Sequence, residues 1–167
     1  TADDIHYLES ISNSLDIALT EADLIQIKEE LMQTGYVRRK YTKKKEKITS
    51  RPMHYISSDG YHMYVGKNNL QNEELTFSFA NGNDWWFHAK GAPGSHVIVK
   101  TGGDELPDRT FEEAGRLAAY YSKNRGSDKV EIDYVEKKHV KKPNGSKPGF
   151  VVYYTNYSLV IDSDISN

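Results

Sequence analysis

Asp84, His88, Ser95 and His96 are the residues whose types and spacing could do chemistry. An acid, two imidazoles and a hydroxyl could act as orienter, general base and nucleophile, or as metal ligands. Either role requires each group to lie within hydrogen-bond reach of the next. Read as a strand, residues 84–90 put Asp84, Trp86, His88 and Lys90 on one face, with Trp85, Phe87 and Ala89 on the other. Asp84 and His88 then stand about two residue pairs apart, too far to bond directly. Ser95 and His96 follow a turn, Gly91-Ala92-Pro93-Gly94. No complete constellation is visible, so the residues favour a positional reading: Ser95 and His96 hydrogen-bond the glycine loop and hold it rigid, or they shape a binding patch. Gly66-Lys67 lacks phosphate-loop spacing and is followed by Asn68, and H-E-x-x-H and G-x-S-x-G are absent. With no cysteine, thiolate zinc sites, disulfides and cysteine nucleophiles are excluded. No metal or cofactor is expected.

Charge offers a different chemistry. The 22 Lys and Arg nearly balance 24 Asp and Glu, but they segregate. Residues 1–34 hold eight acidic side chains against Lys28 alone. Residues 38–51 reverse this with Arg38, Arg39, Lys40, Lys43, Lys44, Lys45, Lys47 and Arg51 against Glu46. A second basic cluster comprises Lys137, Lys138, Lys141, Lys142 and Lys147. Such runs release counterions on docking to a polyanion, and neighbouring tyrosines (Tyr36, Tyr41, Tyr134) can stack on unpaired bases. A solvated linker is the plainer reading of either run. Arg109, Arg116, Tyr120 and Lys123 would line one helix face, a third basic stripe.

The elements that must position these groups follow from periodicity. Residues 1–35 predict two helices. Ile5, Leu8, Ile11, Leu15 and Leu19 form the stripe of the first; Thr20 and Asp23 start the second, and Gly35 ends it. Leu24, Ile27, Leu31 and Met32 form the second stripe. Beyond Pro52 the period becomes two. Residues 53–58 and 61–66 predict a hairpin around Ser58-Asp59-Gly60, and a short helix follows over 68–80. Strands are predicted at 84–90, 95–100 and 130–136, with a final hairpin or bent strand at 150–154 and 157–161. A helix over 108–124 is predicted to start on a Thr110/Glu113 capping box. The fold class expected is α+β: a mostly antiparallel sheet with helices on one face, preceded by a helical segment. The organisation expected is a helical arm (1–35), a basic linker (36–52), the sheet domain (53–162) and a tail (163–167). No apolar run could cross a bilayer and no leader opens the chain, so a cytosolic location is expected.

The run SSDGYHMYVGKNNLQNEELTFSFANGNDWWFHAKGAPGSHVIVK at 57–100, with KKHVKKPNGSKPGFVVY at 137–153, resembles the NFACT-R domain of the fibronectin-binding-protein-A-like (NFACT) family. The likeness covers residues 53–162, and residues 1–35 resemble the end of the family's coiled coil. Matching motif positions are Asp59, Gly60, Gly66, Asn68, Asn69, Asp84, His88, Gly94, Ser95, His96, Lys142, Pro143, Lys147 and Gly149. The resemblance implies a binding module rather than an enzyme: an RNA-contacting part of a cytoplasmic ribosome quality-control factor. The whole factor would bind large ribosomal subunits obstructed by peptidyl-tRNA, recruit alanyl-tRNA, and support C-terminal alanine tailing. Expected partners are rRNA, tRNA and the parent protein's other domains. Some relatives are described as surface proteins that bind fibronectin, which gives an alternative adhesin role. On this reading Arg38, Arg39, Lys43, Lys44, Lys45, Arg116, Lys137, Lys138, Lys141, Lys142 and Lys147 form one cationic face. Asp59, Asn68, Asn69, Asp84, Trp86, His88, Lys90, Gly94, Ser95 and His96 form a polar patch that fixes orientation.

Overall fold

Two helices lead into the fold in the computed structural model, which describes residues 1–39 and 47–166. Helix α1 (Ala2–Ile17) starts on a Thr1/Asp4 capping box, and α2 (Glu21–Gln33) on the expected Thr20/Asp23 box. Apart from Ile11, the stripe read for α1 faces outward. Ile5, Leu8, Leu15 and Leu19 are exposed, whereas Tyr7, Ile11, Ser14 and Ile17 are buried. Polar residues on the inner face conceal it from hydropathy: Asn13 Nδ2 donates to the Tyr121 carbonyl at 3.2 Å. On α2, likewise, Leu24 is exposed and Ile27 buried.

Strands β1 (Met53–Ile56), β2 (His62–Val65), β3 (Trp85–Ala89), β4 (Val97–Val99), β5 (Val130–Glu136) and β8 (Tyr157–Ile161) form one sheet, ordered β1-β2-β4-β3-β5-β8 and antiparallel throughout. Gly60, at φ 89°, makes the turn between β1 and β2 that a side chain would resist. Strand alternation splits the core in two, as the sequence indicates. Phe87, Ala89, Val97, Val99 and Ile132 face helix α4 (Asp108–Tyr120), meeting its Ala114, Leu117 and Ala118. Trp86, Ile98 and Val135 point the other way. There they are covered by α3 (Asn69–Glu74), by the π-helical turn Leu75–Phe79, and by a ribbon of β6 (Val140–Lys141) and β7 (Val152–Tyr153). A 3-10 turn, Lys137–His139, joins β5 to β6.

Three local expectations change. Thr110 and Glu113 do not cap α4, which begins on Pro107. The Thr110 hydroxyl instead donates toward Ser57 and Asp59, at 2.9 Å each, and Glu113 accepts from the Ser58 N–H, so both tie the helix to the β1–β2 turn. The helix also ends at Tyr120 rather than Asn124. The C-terminal strands do not pair with each other: β7 joins β6, and β8 forms the sheet edge against β5. Both pairs satisfy the same alternation, which is why the pattern alone could not choose.

Candidate nucleic-acid interface

The segment 137–150 runs over the second face of the sheet and is pinned from beneath by His96. The His96 Nε2–H donates to the Gly149 carbonyl at 3.1 Å, and Nδ1 accepts the Thr76 hydroxyl at 2.7 Å. A carbonyl can only accept, so Nε2 carries a proton, and with the ring neutral Nδ1 is left as the acceptor for Thr76. Burial, reinforced by the neighbouring His88, holds the His96 pKa well below its ordinary value. The same loop is packed so closely that a Cβ at Gly149 would lie 2.8 Å from Asn69 Oδ1.

This pinning presents the lysines unevenly. Lys142 turns inward: its ammonium donates to the carbonyls of Lys147 and Phe150 and pairs with Glu73 at 2.7 Å. Lys141 is exposed on β6. Lys147 stands 5.5 Å from the Tyr7 ring centre, and Lys137 lies 5.9 Å from that of Phe77. Lys138 has Glu136 at 3.6 Å. The segment that carries Lys137, Lys138, Lys141 and Lys147, here the lysine ridge, exposes Lys138 and Lys141 and leaves Lys137 and Lys147 half-buried.

The other expected cations do not join it as a single face. Arg116 sits on α4, across the sheet, beside Asp162 at 3.4 Å. Arg39 is paired with Glu29 at 2.7 Å, and Arg38 is exposed. Lys43, Lys44 and Lys45 lie outside the described residues. On the α4 stripe, Lys123 bonds Asp16 at 2.7 Å. The acidic arm thus takes up part of the positive charge, because α1 and α2 dock carboxylates against the domain.

Nor is the polar patch a surface. Asp84, Trp86, Ser95 and His96 are buried, as are Asn68 and Asn69. Asp84 accepts from Lys100 Nζ at 2.6 Å and from the N–H groups of Thr101 and Asn81, fixing the ends of β3 and β4. Asn68 caps α3 through the Gln71 N–H. His88 lies opposite Asp133 in the β3–β5 register, and burial lowers its pKa against the pull of that carboxylate. Ser95 is held by its backbone, whose N–H donates to the Tyr121 carbonyl; its hydroxyl has no partner among the described residues. Gly94 backs onto Ser122, Asp59 receives Thr110, and Lys90 pairs with Glu131 at the surface. These residues position loops. Among the described residues no group of three His, Asp or Glu is placed to hold a metal ion.

Two features escaped the sequence reading. Glu30 is fully buried, and its carboxylate accepts the Tyr7 hydroxyl at 2.6 Å and both the N–H and the side-chain amide of Asn69. Burial raises its pKa while those bonds oppose the rise. Nearby Lys67 and Asp23 pair at 2.7 Å. Burial would raise the Asp23 pKa, but bonds from Lys67, the Leu19 N–H and Ser50 outweigh it and hold the carboxyl well below its usual range. Nothing in a run of eight acids marks these two as interior. The second feature, an array of aromatic rings on β1, β2 and the π turn, did leave a signal. Hairpin alternation places His54 and Ile56 with His62 and Tyr64 on one face.

An antiparallel sheet with a docked helical arm carries the lysine-bearing segment on its second face. Residues 51–154 match the family described as the NFACT protein RNA binding domain, and the chain belongs to that family. The protein named Rqc2 homolog RqcH from Streptococcus pneumoniae serotype 2 is 45% identical over 163 residues, 96% of this chain and 29% of that protein. Its namesake from Bacillus subtilis is 40% identical over 165 residues, 97% of this chain and 28% of its own length. The solved C-terminal part of the fibronectin/fibrinogen-binding protein from Streptococcus suis superposes with a TM-score of 0.90 at 42% identity, over 98% of this chain and 65% of that one. The chain thus spans less than a third of the curated relatives' length.

Proposed function

We propose that this chain is the RNA-contacting module of a ribosome quality-control protein, working in the cytoplasm on large ribosomal subunits. The observation that carries this reading is the ridge of Lys137, Lys138, Lys141 and Lys147, lying within a chain of the RNA-binding family. Lysines on a fixed ridge bind phosphates and set orientation without reading sequence. His96 and Gly149 hold that ridge in place, and Asp84, Asn68 and Asn69 keep the loops around it rigid. In the full-length protein the contacts would be to rRNA and to peptidyl-tRNA or alanyl-tRNA, in support of C-terminal alanine tailing. The domain serves by binding.

A second reading has one observation behind it: the solved relative from Streptococcus suis is named for fibronectin and fibrinogen. One experiment separates the two. The purified chain is cosedimented with isolated large ribosomal subunits and, separately, captured on immobilised fibronectin. Retention on subunits that is lost with Lys141→Glu supports the RNA reading. Retention only on fibronectin, indifferent to that substitution, overturns it.

A further inference from the structure

The open part of the second sheet face carries an uninterrupted array of rings. His54 stacks on Tyr64 with centroids 4.6 Å apart and planes 5° apart, and on His62 at 4.9 Å and 14°. His54 Nε2 and His62 Nδ1 lie 2.6 Å apart, so one imidazole donates to the other and fixes the pair's orientation. Tyr64 meets Phe79 edge to face at 4.7 Å. The array continues on the π turn, where Lys100 Nζ stands 4.7 Å from the Phe79 centroid and Lys137 lies against Phe77. The Asp84 backbone and carboxylate join these two lysines: its carbonyl accepts the Lys137 N–H at 2.8 Å, and its side chain accepts Lys100. The array therefore runs into the foot of the lysine ridge.

Exposed rings in this number need an explanation. The π turn and the β6–β7 ribbon pack on Trp86, Ile98 and Val135, and Tyr64 of β2 packs half-buried against the same cluster. His54 and His62 are left exposed, as are Ile56 at 59% and Phe79 at 39%. The rings are held by strand pairing and by one another, so a partner need not order them. Flat rings next to ammonium groups fit unpaired nucleotides: bases stack on the rings while phosphates reach the lysines. A blunt duplex would engage the ridge but could not offer its bases to the rings.

We infer that His54, Tyr64 and Phe79 form a stacking platform for single-stranded RNA, continuous at Lys137 with the phosphate-binding ridge. This inference rests on the RNA-binding reading and adds to it which form of RNA is held and by which face. The test is fluorescence anisotropy of the whole chain with a labelled oligouridine and with a blunt RNA duplex of equal length. Phe79→Leu, which keeps apolar volume but loses the ring, and His54→Ala are compared with Lys141→Glu. Loss of one stacked base weakens binding by roughly 5- to 100-fold. The ring variants are expected to lose that much for oligouridine and to keep their duplex affinity, whereas Lys141→Glu weakens both. Oligouridine affinity unchanged in both ring variants, with Lys141→Glu still harmful, overturns the platform, leaves the RNA reading standing and assigns the rings to a protein partner. An unaltered chain that binds neither RNA overturns both. Thermal unfolding of each variant at the unaltered temperature shows that a lost affinity is not a lost fold.

Discussion

His96→Gln tests whether a neutral, buried imidazole holds the loop beneath the lysine ridge. Glutamine can still donate to the Gly149 carbonyl, but it does not titrate. In the folded chain burial, followed by His88, keeps the His96 pKa well below 6.5, while in the unfolded chain it returns to that ordinary value. Below 6.5 the unfolded state therefore binds more protons, and stability increases with pH. The contribution is complete above about pH 6.5 and declines by about 1.4 kcal/mol for each unit below it, as long as the folded imidazole stays neutral. At about pH 5 the loss reaches about 2 kcal/mol. His88, lowered by burial, slopes the same way; Glu30, raised by burial, slopes the opposite way above its ordinary 4.5. Both are common to the two chains and cancel in the difference. Urea unfolding followed by tryptophan fluorescence reads this difference, with Trp86 edge-on to His96 at 5.3 Å. At about pH 8 the variant is expected to be less stable by roughly 1–3 kcal/mol, since the buried Thr76 hydroxyl loses its acceptor. At about pH 5 the gap should close by about 2 kcal/mol. A gap that does not move with pH refutes the neutral pin.

Other perturbations test the frame. Asp23→Asn removes the buried carboxylate that pairs with half-buried Lys67 and should cost about 3–5 kcal/mol in urea unfolding; a cost below about 1 kcal/mol would show that the arm is not clamped there. Gly66→Ala puts a Cβ 2.0 Å from Asn72 Oδ1 and 3.0 Å from its backbone nitrogen, and should lower stability by roughly 1–3 kcal/mol. Arg116→Ala removes a half-exposed pair with Asp162 across the sheet from the ridge, so stability should stay within about 0.5 kcal/mol and RNA affinity should not change.

Much of the scaffold was legible in the sequence because sheet alternation is a strong signal. It placed Phe87 and Trp86 on opposite faces and Gly60 in its turn. The choice of partner for β7 and β8 was not legible, since pairing at a distance leaves no local mark. Thr110 and Glu113 illustrate a related limit: their spacing fits a cap, but tertiary contacts with Ser57, Ser58 and Asp59 claim both side chains. At the site, segregated charge located the lysines but could not say which faced solvent. Lys142 and Lys141 are neighbours, yet one is locked to Glu73 and the other is exposed. His96 was read as bonding the Gly91-Ala92-Pro93-Gly94 loop beside it, but its partners Thr76 and Gly149 lie 20 and 53 residues away. The ring array depended on the π turn bringing Phe79 beside Tyr64, a geometry with no distinctive composition.

The salt dependence of RNA affinity tests the ridge most directly. Each phosphate neutralised contributes about 0.7–0.9 to the slope of log affinity against log salt concentration. The double change Lys137→Glu with Lys141→Glu should flatten that slope by about 1.4–1.8, while Arg116→Glu leaves it as it is. Equal slopes for all three chains would contradict the assignment of the ridge as the phosphate-binding surface.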